Sequence, residues 1–297
     1  MRASIFIALP VLALALAGPV AAQTPMTLDK IKADGSMTIA YRESSIPFSY
    51  LGADAQPTGF AWEICGKIVE QVKKATGRAD LKVATQAVTS QNRIPLLQNG
   101  TIDIECGSTT NNSERAKQVA FATNYFYTGT RLLVKAGSPI NAMADLKGKK
   151  VVSTVGTTNY QILRKLDTDR SIGFDLLGAK DHAESALMVQ SGRADAFGMD
   201  DILLYGLRAS SQNPAELSVV GEAIQVEPYA IMLRKDDPAF KKLVDDTLAS
   251  LIKSGEFEAL YKKWFQSPIP PKGINLNAPM SKELQDNLKA LSDKPAT

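Results

Sequence analysis

Two stretches that begin 92 residues apart share one pattern, and it limits the possible fold more than any other feature. "QNGTIDIECG" starts at Gln98 and "QSGRADAFGM" starts at Gln190; both read Q-x-G-x-x-D and then run apolar. A glycine after a helical segment closes it, so each copy reads as a helix end, a tight turn and a sheet strand. The flanking sequence alternates in the same way. "SMTIAYR" (36–42) has strand periodicity, and "GFAWEICGKIVEQVKKATG" (59–77) places Phe60, Ile64, Cys65, Ile68, Val69 and Val72 on one helical face before Gly77. "LKVATQAV" (81–88) and "IDIEC" (102–106) read as strands around a short helix in "NRIPLLQNG" (92–100), and the alternation resumes from Val151 to Val220. This order predicts an α/β fold of two similarly built halves, each on a mostly parallel sheet flanked by helices.

Two extended apolar segments, "GTRLLVKAG" (129–137) and "VEPYAIMLRK" (226–235), flank the second half and read as crossovers between lobes. The second lobe, 131–227, is then inserted in a first lobe made of 23–130 and 228–297. Residues 237–265 read as amphipathic helix broken near Gly255, followed by "SPIPPKG" and a polar tail that straps back over the first lobe.

The N-terminus has the layout of a secretory signal peptide: Arg2, an apolar run from Ile5 to about Ala17, then Gly18, Pro19 and the small residues before Gln23. Cleavage is expected after Ala22, which makes the mature protein an exported one. Only Cys65 and Cys106 are present, and in an oxidising compartment two thiols without metal-ligand spacing are expected to form a disulfide.

A net charge of +3 lacks the positive excess that nucleic-acid binding needs. The sequence holds no phosphate-cradling glycine loop, no His-Glu-x-x-His and no Gly-x-Ser-x-Gly, and the single histidine, His182, supplies no metal site. A binding protein without cofactor or metal is expected, rather than an enzyme.

Polar residues cluster where the strands end. Arg42 follows the first strand. Ser90 and Arg93 follow 81–88. Ser108, Thr109 and Thr110 follow 102–106, with Arg115 just beyond. In the second half Thr157 and Thr158 open a helix in "GTTN", His182 follows "FDLLGAKD", and Asp200 follows "ADAFGM". In open α/β sheets such positions face one ligand crevice. Arginine's planar fork suits carboxylates, and a helix start adds backbone N–H groups for an anion. Each position also has a plainer alternative: Asn112 or Ser113, Thr157 or Thr158, and Asp200–Asp201 are all ordinary helix caps.

The segments "RESSIPFSY", "TSQNRIPLLQNGTIDIECGSTTNNSER", "DLKGKKVVSTVGTTN", "AKDHAESALMVQSGRADAFGMDD" and "KWFQSPIPPKGINLN" resemble the periplasmic glutamate/aspartate-binding proteins of amino-acid ABC transporters, over about residues 28–280. That resemblance implies a type II periplasmic-binding-protein clamshell with two hinge strands. It also implies a monomer that passes L-glutamate or L-aspartate to membrane permease subunits. By the same likeness, Arg115, Ser108 and Thr110 clamp the α-carboxylate, Thr158 holds it from the other lobe, and Asp200 anchors the α-ammonium. Arg42, Ser90, Arg93 and His182 receive the side-chain carboxylate. Two alternatives stay open: a binder of another polar amino acid such as glutamine, and a dehydratase-like enzyme on the same fold.

Overall fold

The computed structural model describes residues 26–296; the expected signal peptide, 1–22, lies outside the described residues. From Ser36 the chain lays down β1 (Ser36–Tyr41), then a small ribbon of β2 (Ser44–Ser45), β3 (Ser49–Leu51) and β4 (Pro57–Thr58). The helix Phe60–Thr76 leads to β5 (Lys82–Ala87), β6 (Ile104–Glu105) and β7 (Val119–Phe121). The long β8 (Phe126–Lys135) leaves the first sheet, and β9 (Lys150–Thr154), β10 (Asp175–Ala179) and β11 (Ala196–Asp200) alternate with helices. β12 (Leu217–Tyr229) and β13 (Met232–Arg234) bring the chain back.

Two five-stranded sheets result, in the orders β5-β1-β6-β13-β7 and β10-β9-β11-β8-β12. Each is parallel on one side and antiparallel on the other. β1 pairs in parallel with β5 and β6, and β13 pairs antiparallel with β6 and β7. β9 pairs in parallel with β10 and β11, whereas β8 pairs antiparallel with β11 and β12. The mostly parallel sheets expected from the alternation are therefore half right. Helix crossovers impose parallel order, but the strands that travel between the sheets return in the opposite direction.

The repeated Q-x-G-x-x-D does the same work twice. Gly100 and Gly192 both take positive φ, 77° and 76°, which a glycine adopts at little cost. Asp103 then accepts a hydrogen bond from the Thr38 amide and Asp195 accepts one from the Lys150 amide, at 2.8 and 2.7 Å. Each aspartate pins the start of the neighbouring central strand, fixing the register of β6 on β1 and of β11 on β9.

The segment 126–130 of β8 pairs with 224–229 of β12, so the two crossings run side by side. They are anchored in an aromatic cluster around Phe48, whose ring lies 4.9 Å from Phe126, 5.2 Å from Tyr229 and 5.4 Å from Phe265. The C-terminal helices Pro238–Ser254 and Glu256–Phe265 meet at Gly255 and bury Phe240, Leu248, Phe257 and Phe265. Cys65 and Cys106, both buried, form the expected disulfide between the helix Phe60–Thr76 and the segment after β6. The tail reaches the residues after β6: Asn111 donates to the Asp293 carbonyl and Asn124 to the Lys294 carbonyl. No helix among the described residues is long and apolar enough to cross a membrane.

Candidate functional site

Between the sheets lies a buried polar region with two ends. At one end Arg42, at the end of β1, donates through Nε to the Val88 carbonyl at 3.1 Å and through Nη2 to Ser90 Oγ at 2.8 Å. Its Nη2 also lies 3.4 Å from His182 Nε2, joining the two halves of the molecule. A guanidinium only donates, so His182 Nε2 accepts and its proton sits on Nδ1. Nδ1 then donates to Thr154 Oγ1 at 2.9 Å, Thr154 to Ser185 Oγ, and Ser185 to the Asp181 carbonyl. This chain of hydroxyls fixes one neutral tautomer. Burial, then Arg42 and Arg93, hold the histidine well below its usual range.

Arg93 starts the short helix Arg93–Gln98 and is buried beside Glu105, with Nη1 3.9 Å from Oε1. Glu105 Oε2 accepts from Thr109 at 2.5 Å. Arg42 Nη1, Arg93 Nε and Nη1, Ser108 Oγ and one acceptor, Glu105 Oε1, are buried without a hydrogen-bond partner among the described residues. Buried donors are nearly always paired, so this concentration of unused donors marks a place built to receive acceptors. Burial, and then the facing Arg93 charge, lower Arg42 to about 9, while Glu105 opposes that shift.

At the other end Arg115 reaches across the cleft. It donates to the Thr110 carbonyl at 3.0 Å and to the Gly156 carbonyl at 3.1 Å. Thr110 Oγ1 lies 3.3 Å from Thr158 Oγ1, at the start of the helix Thr158–Arg170. Gly156 has φ 81°, and a Cβ there would sit 2.7 Å from the Gln91 backbone, so only glycine allows the halves to approach this closely. Asp200 accepts from Asn159 at 2.8 Å and from the Tyr229 hydroxyl. Burial raises its pKa while those two donors hold it down.

The structure thus brings Arg42, Ser90, Arg93, Ser108, Thr110, Arg115, Thr158, His182 and Asp200 into one buried region. Thr157 is different: its hydroxyl donates to the Thr154 carbonyl and accepts from the Tyr160 amide, the plain cap of its helix. Asp200 makes no such cap, because Asp201 accepts from the Ile202 amide instead. Asn112 caps the turn that carries Arg115.

Two acidic residues escaped the sequence reading, which placed Arg42, Arg93 and Arg115 but only one carboxylate, Asp200, at the strand ends. Glu105 and Glu227 are both buried in the same region. The signal was present, since Glu105 follows Asp103 inside the strand "IDIEC" and Glu227 is the one carboxylate in the apolar "VEPYAIM". Glu227 accepts from Thr158 at 2.6 Å, and burial together with Asp200 raises it to about 7. At the Arg42 end, two guanidiniums face one carboxylate and a neutral imidazole, an excess of one positive charge. At the other end Arg115 and Asp200 cancel when Glu227 is protonated. The arrangement suits a molecule with a zwitterionic head and a separate anionic group.

A family model described as bacterial extracellular solute-binding proteins, family 3, matches residues 37–267. An L-glutamate/L-aspartate-binding protein of Pseudomonas aeruginosa is 49% identical over 288 residues, covering 96% of this chain and 95% of that protein. A glutamate/aspartate import solute-binding protein of Salmonella typhimurium is 50% identical over 268 residues, 90% of this chain and 89% of its own length. Among solved structures, a mutant of ArgBP from T. maritima matches with a TM-score of 0.73 at 27% identity, covering 81% of this chain and 100% of that one.

Proposed function

The chain belongs to the bacterial extracellular solute-binding proteins of family 3, and we propose that it captures an acidic amino acid, L-glutamate or L-aspartate, between its two halves. It delivers that cargo to the membrane permease subunits of an ABC transporter. The observation that carries this reading is the set of unused buried donors on Arg42 and Arg93, in a region with one uncompensated positive charge. In this reading Arg42, Ser90, Arg93 and His182 receive the side-chain carboxylate. Arg115, Ser108, Thr110 and Thr158 hold the α-carboxylate, and Asp200 pairs with the α-ammonium. The lobes are 23–130 with 228–297, and the inserted 131–227, hinged on the paired segments of β8 and β12. The protein acts as a monomer in the periplasm, which it reaches through a signal peptide at 1–22.

A carrier fits better than an enzyme. The one imidazole in the region is locked neutral by a hydroxyl chain on Nδ1 and a guanidinium on Nε2, which leaves it no free position for proton transfer. The test is mass spectrometry of ligand released on denaturation, with calorimetric titration of the emptied protein. Glutamate or aspartate binding supports the reading; binding of glutamine with equal or greater affinity overturns it.

A further inference from the structure

Glu227 sits on the returning crossover strand β12, opposite Thr128 of β8. Its Oε2 accepts the Thr158 hydroxyl at 2.6 Å and its Oε1 accepts from Gln225 Nε2 at 3.1 Å. The other polar neighbour of Thr158 Oγ1 is Thr110 Oγ1, at 3.3 Å. A threonine hydroxyl has a single proton. While Thr158 gives it to Glu227, Thr158 has only lone pairs to offer a third group. A ligand carboxylate also has only lone pairs, so the two cannot bond.

We propose that Glu227 sets the direction of the Thr158 hydroxyl, so that capture of the ligand's α-carboxylate is coupled to uptake of one proton by Glu227. This rests on the reading of Thr158 as a carboxylate-holding residue. A protonated Glu227 donates its own O–H to Thr158 Oγ1, and Thr158 turns its proton onto the ligand. Glu227 is then a positioning residue: it touches Thr158, not the cargo.

The charges around Glu227 favour this exchange near neutral pH. Burial and the Asp200 carboxylate raise Glu227 to about 7, while Thr158, Arg115 and Thr110 oppose that shift less strongly. The Tyr229 phenol, itself buried and bonded to Asp200, is also within electrostatic reach. An arriving α-carboxylate adds negative charge and pushes Glu227 further towards its protonated form. Glu227 also lines a cavity of ≈ 670 Å³ shared with Arg115, Thr158, Ile162, Leu166 and Ile224. The exposed Glu114, Lys165, Asp169 and Arg170 line the same cavity and give the proton a solvent route.

The experiment is calorimetry with L-glutamate and L-aspartate in paired buffers of low and high ionisation enthalpy, at pH 6 and pH 8. Wild-type protein is expected to take up about 0.1 proton per ligand at pH 6 and about 0.9 at pH 8, and its affinity to weaken about tenfold between them, as a site competent only when protonated must. Glu227→Gln, whose amide donates permanently to Thr158, is expected to show no uptake and to bind about tenfold more tightly than wild type at pH 8. His182 remains in that variant, so a proton taken up there would persist. Buffer-independent heats in the wild type at pH 8, or uptake that survives Glu227→Gln, would overturn the coupling. The wild-type measurement alone decides the matter if the variant does not fold. Absence of binding by either amino acid overturns the functional reading itself and is seen separately.

Discussion

The preference for glutamate over glutamine is the property that the two buried guanidiniums should control. Arg93 has two buried donors, Nε and Nη1, and Arg42 has one, Nη1, without hydrogen-bond partners among the described residues. A charge-assisted hydrogen bond is roughly twice as strong as a neutral one, so replacing a carboxylate acceptor by an amide costs about 1 kcal/mol per donor. Three donors give about 3 kcal/mol, or a preference of roughly 100-fold. Arg93→Met removes two of the three. The remaining preference should fall to about fivefold, with nearly all of the loss on the glutamate side. Glu105 complicates the substitution, because it is fully buried and loses its ion-pair partner, leaving Arg42 as the one facing guanidinium; breaking a buried pair destabilises proteins by about 3–5 kcal/mol. The companion variant Arg93→Met/Glu105→Gln removes that penalty while retaining an acceptor for Thr109. Glutamate and glutamine are titrated calorimetrically against wild type and both variants. Equal weakening of both ligands would refute the assignment and make Arg93 a structural or main-chain contact.

Asp200→Asn should weaken glutamate, aspartate and glutamine alike, by about 2–5 kcal/mol, since a buried ammonium loses its charged partner; unchanged calorimetric affinities would remove Asp200 from the site. Reduction of Cys65–Cys106 should lower unfolding free energy by about 2–4 kcal/mol in denaturant titrations, and identical midpoints with and without reductant would exclude a stabilising role. His182 is held well below 6.5 when folded, so below that pH the unfolded chain binds more protons and the folded state loses about 1.4 kcal/mol per pH unit. Glu227, raised from 4.5 to about 7, has the opposite sign: its contribution diminishes as pH rises through that interval. In the ligand-free protein, His182→Asn should therefore gain stability relative to wild type as pH falls from 6.5 to 5.5, and parallel urea curves at the two pH values would contradict this.

What could be read from the chain was what local physics writes locally. The Q-x-G-x-x-D echo marks a helix stop, a positive-φ glycine and an aspartate that bonds the adjacent strand, and all three requirements fall within six residues. The disulfide was legible because compartment and helical face together left two thiols one natural partner each. The antiparallel half of each sheet was not legible, because it depends on strands brought together from distant parts of the chain, β13 beside β6 and β7 and β8 beside β11 and β12. Thr157 and Asp200 show the limit most directly. Both stand before a helix, yet the first caps it and the second leaves the cap to Asp201 and accepts from Asn159 and Tyr229. Nothing within either helix start separates the two cases; the distinction lies in partners 41 and 29 residues away.

The same distance explains why Glu227 was invisible as a functional residue. Its partner Thr158 is 69 positions earlier, and the two meet only because β12 returns beside the start of another helix. In sequence Glu227 is a lone acid in an apolar crossover, which reads as an anomaly rather than a site. Buried among Asp200, Arg115 and Thr158, it becomes a group whose charge state decides what a neighbouring hydroxyl can offer. A polar residue that interrupts an apolar strand must find a partner or lose its charge. In Glu227 both outcomes lie within reach near neutral pH, and its place on β12 ties the choice to a strand that pairs with β8 and returns the chain to β13.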